Sequence, residues 1–155
     1  MIRIDRILVP TDFSEFSRPA VNYAVAMAER FAAKLHILHV APDPAMLVPD
    51  AAVFSVESMQ AQSEKLVADA ERMLQQIPEP SVGVQSITRA VRVGAAFMEI
   101  IEYAQSQQID LIVIGTHGRS GFAHILMGSV AERVVRKAPC PVLSVKPEGH
   151  QFVSP

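Results

Sequence analysis

Features that would mark a secreted, membrane-spanning or nucleic-acid-binding protein are scarce in this sequence. Its single cysteine, Cys140, excludes an internal disulfide and fits a reducing compartment. The formal net charge is −2 and basic residues form no cluster, so the electrostatic footprint of a nucleic-acid-binding protein is missing. No apolar run approaches the roughly 20 residues that a membrane span requires, and the opening MIRIDRILVP lacks the pattern of a signal peptide. We therefore expect a cytoplasmic protein that binds neither a membrane nor nucleic acid.

The sequence does contain enough apolar material for one well-packed domain. Of its 155 residues, 50% are hydrophobic and 19% are charged, a balance that argues against intrinsic disorder. A chain of this length usually forms a single domain. Residues 148–155 show no periodic pattern, and we expect them to form a flexible tail.

Strand and helix patterns alternate along the chain. Short apolar runs predict strands at residues 4–10, 34–41, 82–91, 109–115 and 141–146. Apolar residues at helical spacing predict four helices, one opening at Ser17-Arg18-Pro19 and the others at 57–77, 95–107 and 128–138. Because the fourth strand is apolar throughout, this α/β pattern predicts a parallel sheet with helices on both faces. The segment 42–56 is predicted to be a long, apolar loop.

Two predicted loops carry groups that suit ligand binding. Pro10-Thr11-Asp12 follows the first strand, and Gly115-Thr116-His117-Gly118 follows the fourth. Open α/β sheets bind ligands beyond the carboxyl ends of their strands, so these loops form one crevice if the two strands are neighbours. The glycines let backbone N–H groups face an anion, and a helix that begins at Gly128-Ser129 adds its positive dipole end. Asp12 can accept a hydrogen bond from a ribose or a base, so the set of groups indicates a nucleotide.

Simpler structural roles are open for several of these residues. Ser129 and Glu132 have the spacing of a capping box, in which Ser129 would serve only its own helix. Asp12 could cap a turn ahead of the first helix. His36 and His39 are three residues apart on a strand and face opposite ways, so we interpret them as structural rather than as metal ligands.

The glycine spacing resembles that of a known family. Gly115-x2-Gly118-x9-Gly128-Ser129 matches the complete G-2x-G-9x-G-[S/T] nucleotide-binding motif of the universal stress protein family. The similarity runs from Ile4 to Lys146 and includes the segments ILVPTDFSEFSRPAVNYA, LIVIGTHGRSG and APCPVLSVKP. It implies a Rossmann-like, open parallel five-stranded sheet of order 3-2-1-4-5 across residues 1–147. The implied function is that of an ATP-binding regulatory module in the stress response.

The resemblance also implies roles for individual residues. Asp12, with the backbone of Pro10 and Thr11, would contact adenine and ribose, and Val40 would border the adenine. The ribose and phosphates would be held by Gly115, Gly118, Gly128, Ser129 and Val130. His117 and Arg119 lie within the same loop and would approach the phosphates. The ligand would be ATP, ADP or AMP, with any Mg²⁺ carried by the nucleotide, and the last strand, Pro141 to Val145, would form a homodimer interface.

Two positions depart from the family's pattern. Ala131 stands where some nucleotide-binding members have a hydroxyl, which implies one missing phosphate contact. The segment Val93-Gly94-Ala95-Ala96-Phe97 lacks the proline often found two places after its glycine, which would alter only the start of a helix.

Residues for phosphoryl transfer are largely absent from the sequence. There is no GxxxxGK[ST] motif and hence no P-loop lysine, and Asp110 precedes its strand and so belongs to the opposite edge of the sheet. His117 is the one candidate general base. We expect nucleotide binding with little or no turnover, no catalytic residue and no metal-ligating residue. Slow ATP hydrolysis and a dimeric partner-binding module without nucleotide are the alternatives, whereas a receiver domain lacks its acceptor aspartate.

Overall fold

A computed structural model of the protein describes residues 1–47, 55–78, 83–117 and 127–147. The predicted tail at 148–155 and residues 48–54 of the predicted loop lie outside these ranges. Within them, no helix is both long enough and apolar enough to cross a lipid bilayer.

The described residues alternate strands and helices in the predicted order. The strands are β1 (Arg6–Pro10), β2 (Lys34–Ala41), β3 (Ile87–Val93), β4 (Leu111–Gly115) and β5 (Val142–Val145). The helices are α1 (Arg18–Phe31), α2 (Pro44–Leu47), α3 (Val56–Leu74), α4 (Ala96–Ser106) and α5 (Ser129–Lys137). The short helix α2 was not predicted, since it lies inside the segment that the sequence pattern assigns to a loop.

The third strand differs from its prediction at 82–91. β3 begins at Ile87 and ends at Val93, because each of its residues pairs with one residue of β2 from Leu35 to Ala41. Its limits are therefore set by the neighbouring strand, which the local alternation of apolar residues does not reveal.

Helix α3 ends at Leu74, three residues before its predicted end at 77. The Nε of Arg89 on β3 donates to the carbonyls of both Leu74 and Ile77, at 2.9 Å each. The Leu74 carbonyl also accepts the N–H of Ile77 at 3.1 Å, so Leu74 and Ile77 are joined directly and through Arg89. A side chain on a distant strand thus holds the turn that follows this helix.

All five strands are parallel and lie in the order β3-β2-β1-β4-β5, which confirms the predicted fold class and strand order. The order of the strands reverses at β1, which pairs with β4 through Ile7–Leu111 and Leu8–Ile112. Because the strands are parallel, the loops that follow β1 and β4 leave the sheet side by side. This is the arrangement that a shared crevice requires.

Two hydrophobic cores cover the two faces of the sheet. Along β1, Ile7 and Val9 point into one core and Leu8 into the other, and all three are fully buried. The first core includes residues of α1 and α3, and the second includes residues of α4 and α5. Burying each side chain of this size contributes about 1.5–3 kcal/mol, so the alternation holds helices on both faces.

Asp110 lies at the amino edge of the sheet, as its position before β4 predicts. Its Oδ2 accepts hydrogen bonds from the backbone N–H groups of Asp5, at 2.9 Å, and Arg6, at 2.8 Å. The carboxylate therefore fastens the start of β1 beside β4, at the opposite edge from the loops described above.

The two histidines of β2 contact opposite faces of the sheet, as predicted. His39 Nδ1 donates to the carbonyl of Thr11 at 2.8 Å, and His36 Nδ1 lies 3.0 Å from the Tyr103 hydroxyl of α4. His36 is only 6% exposed. Burial lowers the pKa of His36 below its usual 6.5, and the nearby charges of Arg6 and Lys34 lower it further.

This lowered pKa predicts a loss of stability in mild acid. The unfolded chain takes up a proton on His36 near pH 6.5, whereas the folded chain resists it, so the free energy of unfolding should fall as the pH drops below about 6.5. His36→Gln, which can still bond to Tyr103 but cannot be protonated, should reduce that slope. Urea unfolding between pH 8 and pH 5 measures both slopes. An equal pH dependence of the free energy of unfolding in wild type and His36→Gln would show that His36 does not cause the loss of stability.

Candidate functional site

A cavity of about 380 Å³ opens at the carboxyl edge of the sheet, between the loops that follow β1 and β4. Nine of the residues predicted from the sequence as ligand contacts line it: Pro10, Thr11, Asp12, Val40, Gly115, His117, Gly128, Ser129 and Val130. Gly118 and Arg119, the other two, lie outside the described residues. The structure thus brings four separate segments of the chain to one cavity.

The loop after β1 is organised around Thr11, which is 6% exposed. Its backbone N–H donates to Leu38 on β2, and its Oγ1 accepts from the N–H of Phe13 at 3.1 Å. The Ser17 hydroxyl donates to Ser14, so the Thr11 hydroxyl is left to donate to Ser17 across their 3.0 Å contact. These bonds support the backbone of Phe13, whose φ of 65° lies in the left-handed region.

Asp12 has the turn-capping role that the sequence left open. Its Oδ1 accepts from the N–H of Ser14 at 3.0 Å and from the Ser14 hydroxyl at 2.5 Å. The same residue lines the cavity. A carboxylate accepts about four hydrogen bonds, so the capping role is compatible with ligand contacts.

The loop after β4 approaches the backbone of the first loop closely. A Cβ at Gly115 would lie 3.2 Å from the carbonyl oxygen of Phe16, which is closer than most real Cβ contacts. Buried Thr116 follows, and its Oγ1 lies 2.9 Å from Nδ1 of His117. A side chain at Gly115 would therefore require the backbone at Phe16 to shift by a few tenths of an ångström, whatever the cavity holds.

The amino end of α5 closes another side of the cavity. Gly128 is the N-cap residue, and its N–H donates to the carbonyl of Thr116 at 2.6 Å. The N–H groups of the next three residues, Ser129, Val130 and Ala131, have no acceptor within an α-helix. All three residues line the cavity, so the positive end of the helix dipole faces it.

The capping-box interpretation of Ser129 is wrong. Ser129 is the first helical residue rather than the N-cap, and no side chain of the described residues caps this helix. Glu132 instead pairs with Arg136, one turn later on the same helix, at 3.0 Å. The hydroxyl of Ser129, which is exposed, is thus not used to cap its own helix.

The remaining wall of the cavity is apolar. It consists of Leu38 and Val40 from β2, Ile114 from β4, and Ala96 and Ile100 from α4. Only Val40 was predicted from the sequence. Ala96 and Ile100 are four residues apart on one face of α4, and the strand order places that helix beside α5. The helical spacing and the strand order together could have predicted both residues as part of the cavity wall. Buried Ala131 presents a methyl group where a hydroxyl was noted as missing.

The described lining of the cavity carries little charge. Asp12 is its one acidic residue, and it contains no lysine or arginine among the described residues. Across the described part of the chain, no group of three or more His, Cys, Asp or Glu residues could hold a metal ion. The geometry therefore offers an apolar slot that ends at backbone N–H donors.

Comparison with known proteins agrees with this architecture. The family model of the universal stress protein family matches residues 3–146. Universal stress protein MJ0531 of Methanocaldococcus jannaschii is 35% identical over 143 residues, which cover 91% of this chain and 81% of the relative. The chain belongs to the universal stress protein family.

Solved structures of the same family superpose closely. MJ0577, also from Methanocaldococcus jannaschii, is 29% identical with a TM-score of 0.82, and the match covers 99% of this chain and 100% of that one. A universal stress protein solved in complex with cAMP is 26% identical with a TM-score of 0.62, and the match covers 94% and 99% of the two chains.

The hydrogen bonds of Thr11 predict the effect of two substitutions. Thr11→Val keeps the shape but removes the acceptor of the Phe13 N–H and the hydroxyl that donates to Ser17, so the free energy of unfolding should fall by about 1–3 kcal/mol. Thr11→Ser retains the hydroxyl and serves as the control, with a smaller loss. Chemical denaturation compares them. A Thr11→Val protein as stable as wild type would show that the loop does not depend on this hydroxyl.

Proposed function

We propose that this protein binds an adenine nucleotide, ATP first among them, in the carboxyl-edge cavity and acts in the cytoplasm as a nucleotide-dependent regulatory module of the stress response. The observation that carries the proposal is the composition of the cavity, in which an apolar wall leads to the amino end of α5. A planar base and a chain of phosphates need these two environments in this order.

The proposed contacts follow the polarity of the lining. Adenine packs against Val40 and the apolar wall, while Asp12 and the backbone at Pro10 and Thr11 bind base and ribose. The ribose and phosphates are held by the glycine motif: Gly115, Gly118, Gly128, Ser129 and Val130. His117 and Arg119 approach the phosphates from the loop between β4 and α5. The relative solved with cAMP, itself an adenine nucleotide, supports the choice of base.

Little or no turnover is the second part of the proposal. The sequence has no GxxxxGK[ST] motif and hence no P-loop lysine, and Asp110 lies at the opposite edge of the sheet. Mg²⁺, where present, would be carried by the nucleotide. Slow hydrolysis with His117 as the base is the alternative. His117 lines the cavity, so this alternative needs a direct test.

Calorimetric titration with ATP, with and without Mg²⁺, tests both parts of the proposal. We expect micromolar binding and, by chromatography afterwards, recovery of intact ATP. Recovery of ADP or AMP would instead support the hydrolase, with His117→Gln as the variant that should stop it. Absence of binding to ATP, AMP and cAMP would reject the nucleotide and favour the partner-binding module.

The glycine motif predicts which variants lose the nucleotide. A Cβ at Gly128 would lie 3.2 Å from the Thr116 carbonyl, so Gly128→Ala together with Gly118→Ala should abolish binding by displacing the backbone donors. Ser129→Ala should weaken it about tenfold through the loss of one hydrogen bond to charged phosphate. Ser63→Ala, within α3, is the matched control and should bind as wild type. Wild-type affinity in the double variant would disprove the motif's role.

The same proposal includes a homodimer through the last strand, Pro141 to Val145. β5 lies at one edge of the sheet, and edge strands offer unpaired backbone groups to another chain. Leu143 on β5 and Val93 on β3, the opposite edge, are each 36% exposed. Leu143→Asp should therefore give a monomer in light scattering after size exclusion, whereas Val93→Asp should remain a dimer. A monomeric wild-type chain would reject the interface.

A further inference from the structure

A second cavity, of about 310 Å³, lies at the amino edge of the sheet, opposite the first. It lies between the starts of β1, β2 and β3 and the carboxyl end of α4. Its lining is polar throughout: Arg6, Lys34, His36, Ser86, Thr88 and residues 106–108 at the carboxyl end of α4. No carboxylate lines this cavity in the described part of the chain, so the lining contains basic side chains and no acidic one.

Two of these side chains are like charges placed side by side. The parallel register of β1 and β2 puts Arg6 directly beside Lys34. Like charges directly opposite each other on neighbouring strands are destabilising. Neither Arg6 nor Lys34 forms an ion pair with a described side chain.

Arg6 is held in position by the end of α4. Its Nη1 donates to Gln108 Oε1 at 3.1 Å and lies 3.4 to 3.5 Å from the carbonyls of Gln108 and Gln107. The other guanidinium nitrogens make no hydrogen bond to the described residues. The side chain thus has a fixed orientation and retains donors for a ligand.

His36 forms the buried end of the same cavity. Its Nδ1 contacts Tyr103, but its Nε2 has no partner among the described residues and is not a buried unsatisfied atom, so it reaches the open space. Thr88, beside His36 in the register of β2 and β3, adds a hydroxyl. A single opening is therefore lined by two cations, a ring nitrogen and hydroxyl groups.

We propose that this amino-edge cavity binds a phosphate group, either free phosphate or the end of a small phosphate monoester, between Arg6 and Lys34. A tetrahedral dianion offers enough acceptors for both cations, the Thr88 and Ser86 hydroxyls and His36 Nε2. The Ser106 hydroxyl contributes no donor, since it donates to the Tyr103 carbonyl. The inference does not depend on nucleotide binding in the first cavity, because no residue lines both.

Anion binding at this place should be coupled to proton uptake by His36. The charges that lower the pKa of His36 are both cationic, Arg6 on β1 and Lys34 on β2, and a third cation, Arg92 on β3, lies over the Tyr103 ring. A bound anion offsets the charges that help to lower the pKa of His36, so an anion whose own charge does not change, such as sulfate, should bind more tightly as the pH falls from 8 to 6.

Titration of the isotope-labelled full chain with inorganic phosphate, at constant ionic strength, tests the proposal by amide chemical shifts. The amides of Ser86, Thr88 and Gln108 report on the amino-edge cavity, and those of Gly115 and Val130 report on the first. We expect saturable shifts in the first group. Lys34→Gln should weaken binding about tenfold through one lost charge-assisted bond. Lys65→Gln, an exposed lysine of α3 with the same charge change, is the control and should bind as wild type.

The outcomes separate the possibilities. Shifts confined to Gly115 and Val130, or equal weakening by Lys34→Gln and Lys65→Gln, would overturn the proposal. Glycerol phosphate binding more tightly than phosphate would assign the cavity to a monoester, and the reverse would assign it to the free ion. Sulfate, whose charge is constant between pH 8 and 6, tests the proton coupling: it should bind more tightly at pH 6 in wild type but not in His36→Gln.

Discussion

The parallel pairing of β1 with β4 is the interaction on which the rest of the structure depends. Only two residue pairs carry it, Ile7–Leu111 and Leu8–Ile112, and all four side chains are buried. Asp110 fastens the amino end of this pair by accepting two N–H groups from the start of β1. Without this pairing the loops after β1 and β4 would not meet, and the carboxyl-edge cavity would not exist.

The two edges of the sheet differ in what they offer to a ligand. At the carboxyl edge, the described lining combines an apolar wall and one acidic side chain with backbone N–H donors at the start of α5 and the hydroxyl of Ser129. At the amino edge the donors are side chains, two of them cationic, with no apolar wall. Binding at the first edge therefore depends mainly on chain geometry, whereas binding at the second depends on residue identity and on ionic strength.

Most of the fold could be predicted from the sequence, because the signals that matter are local. The apolar run of β4, the proline at the start of α1 and the glycine motif each need only a short window. The limits of β3 and α3 were missed because both involve contacts with distant residues. β3 pairs along β2, and Arg89 binds the turn that follows α3. The family resemblance supplied the strand order, which alternation alone leaves open.

The site was predictable where it coincides with loops and hidden where it depends on helix packing. Residues 10–12 and the glycines follow strand ends, where ligands of this fold class bind. Ala96 and Ile100 belong to a helix face that looks like ordinary core, and only the assembled sheet turns it toward the cavity. The capping box predicted for Ser129 is wrong for a similar reason. Gly128 is the N-cap, so the helix begins at Ser129 rather than after it.

One peptide segment joins the carboxyl-edge cavity to the edge strand. Thr116 donates its N–H to Val145 on β5, and its carbonyl accepts the N–H of Gly128 at the start of α5. Both bonds use main-chain atoms, so neither is made by the Thr116 side chain, and among the residue types only proline lacks the N–H that the first bond needs. The link between the cavity and β5 is therefore made by the backbone, and the type of residue at position 116 does not by itself reveal it.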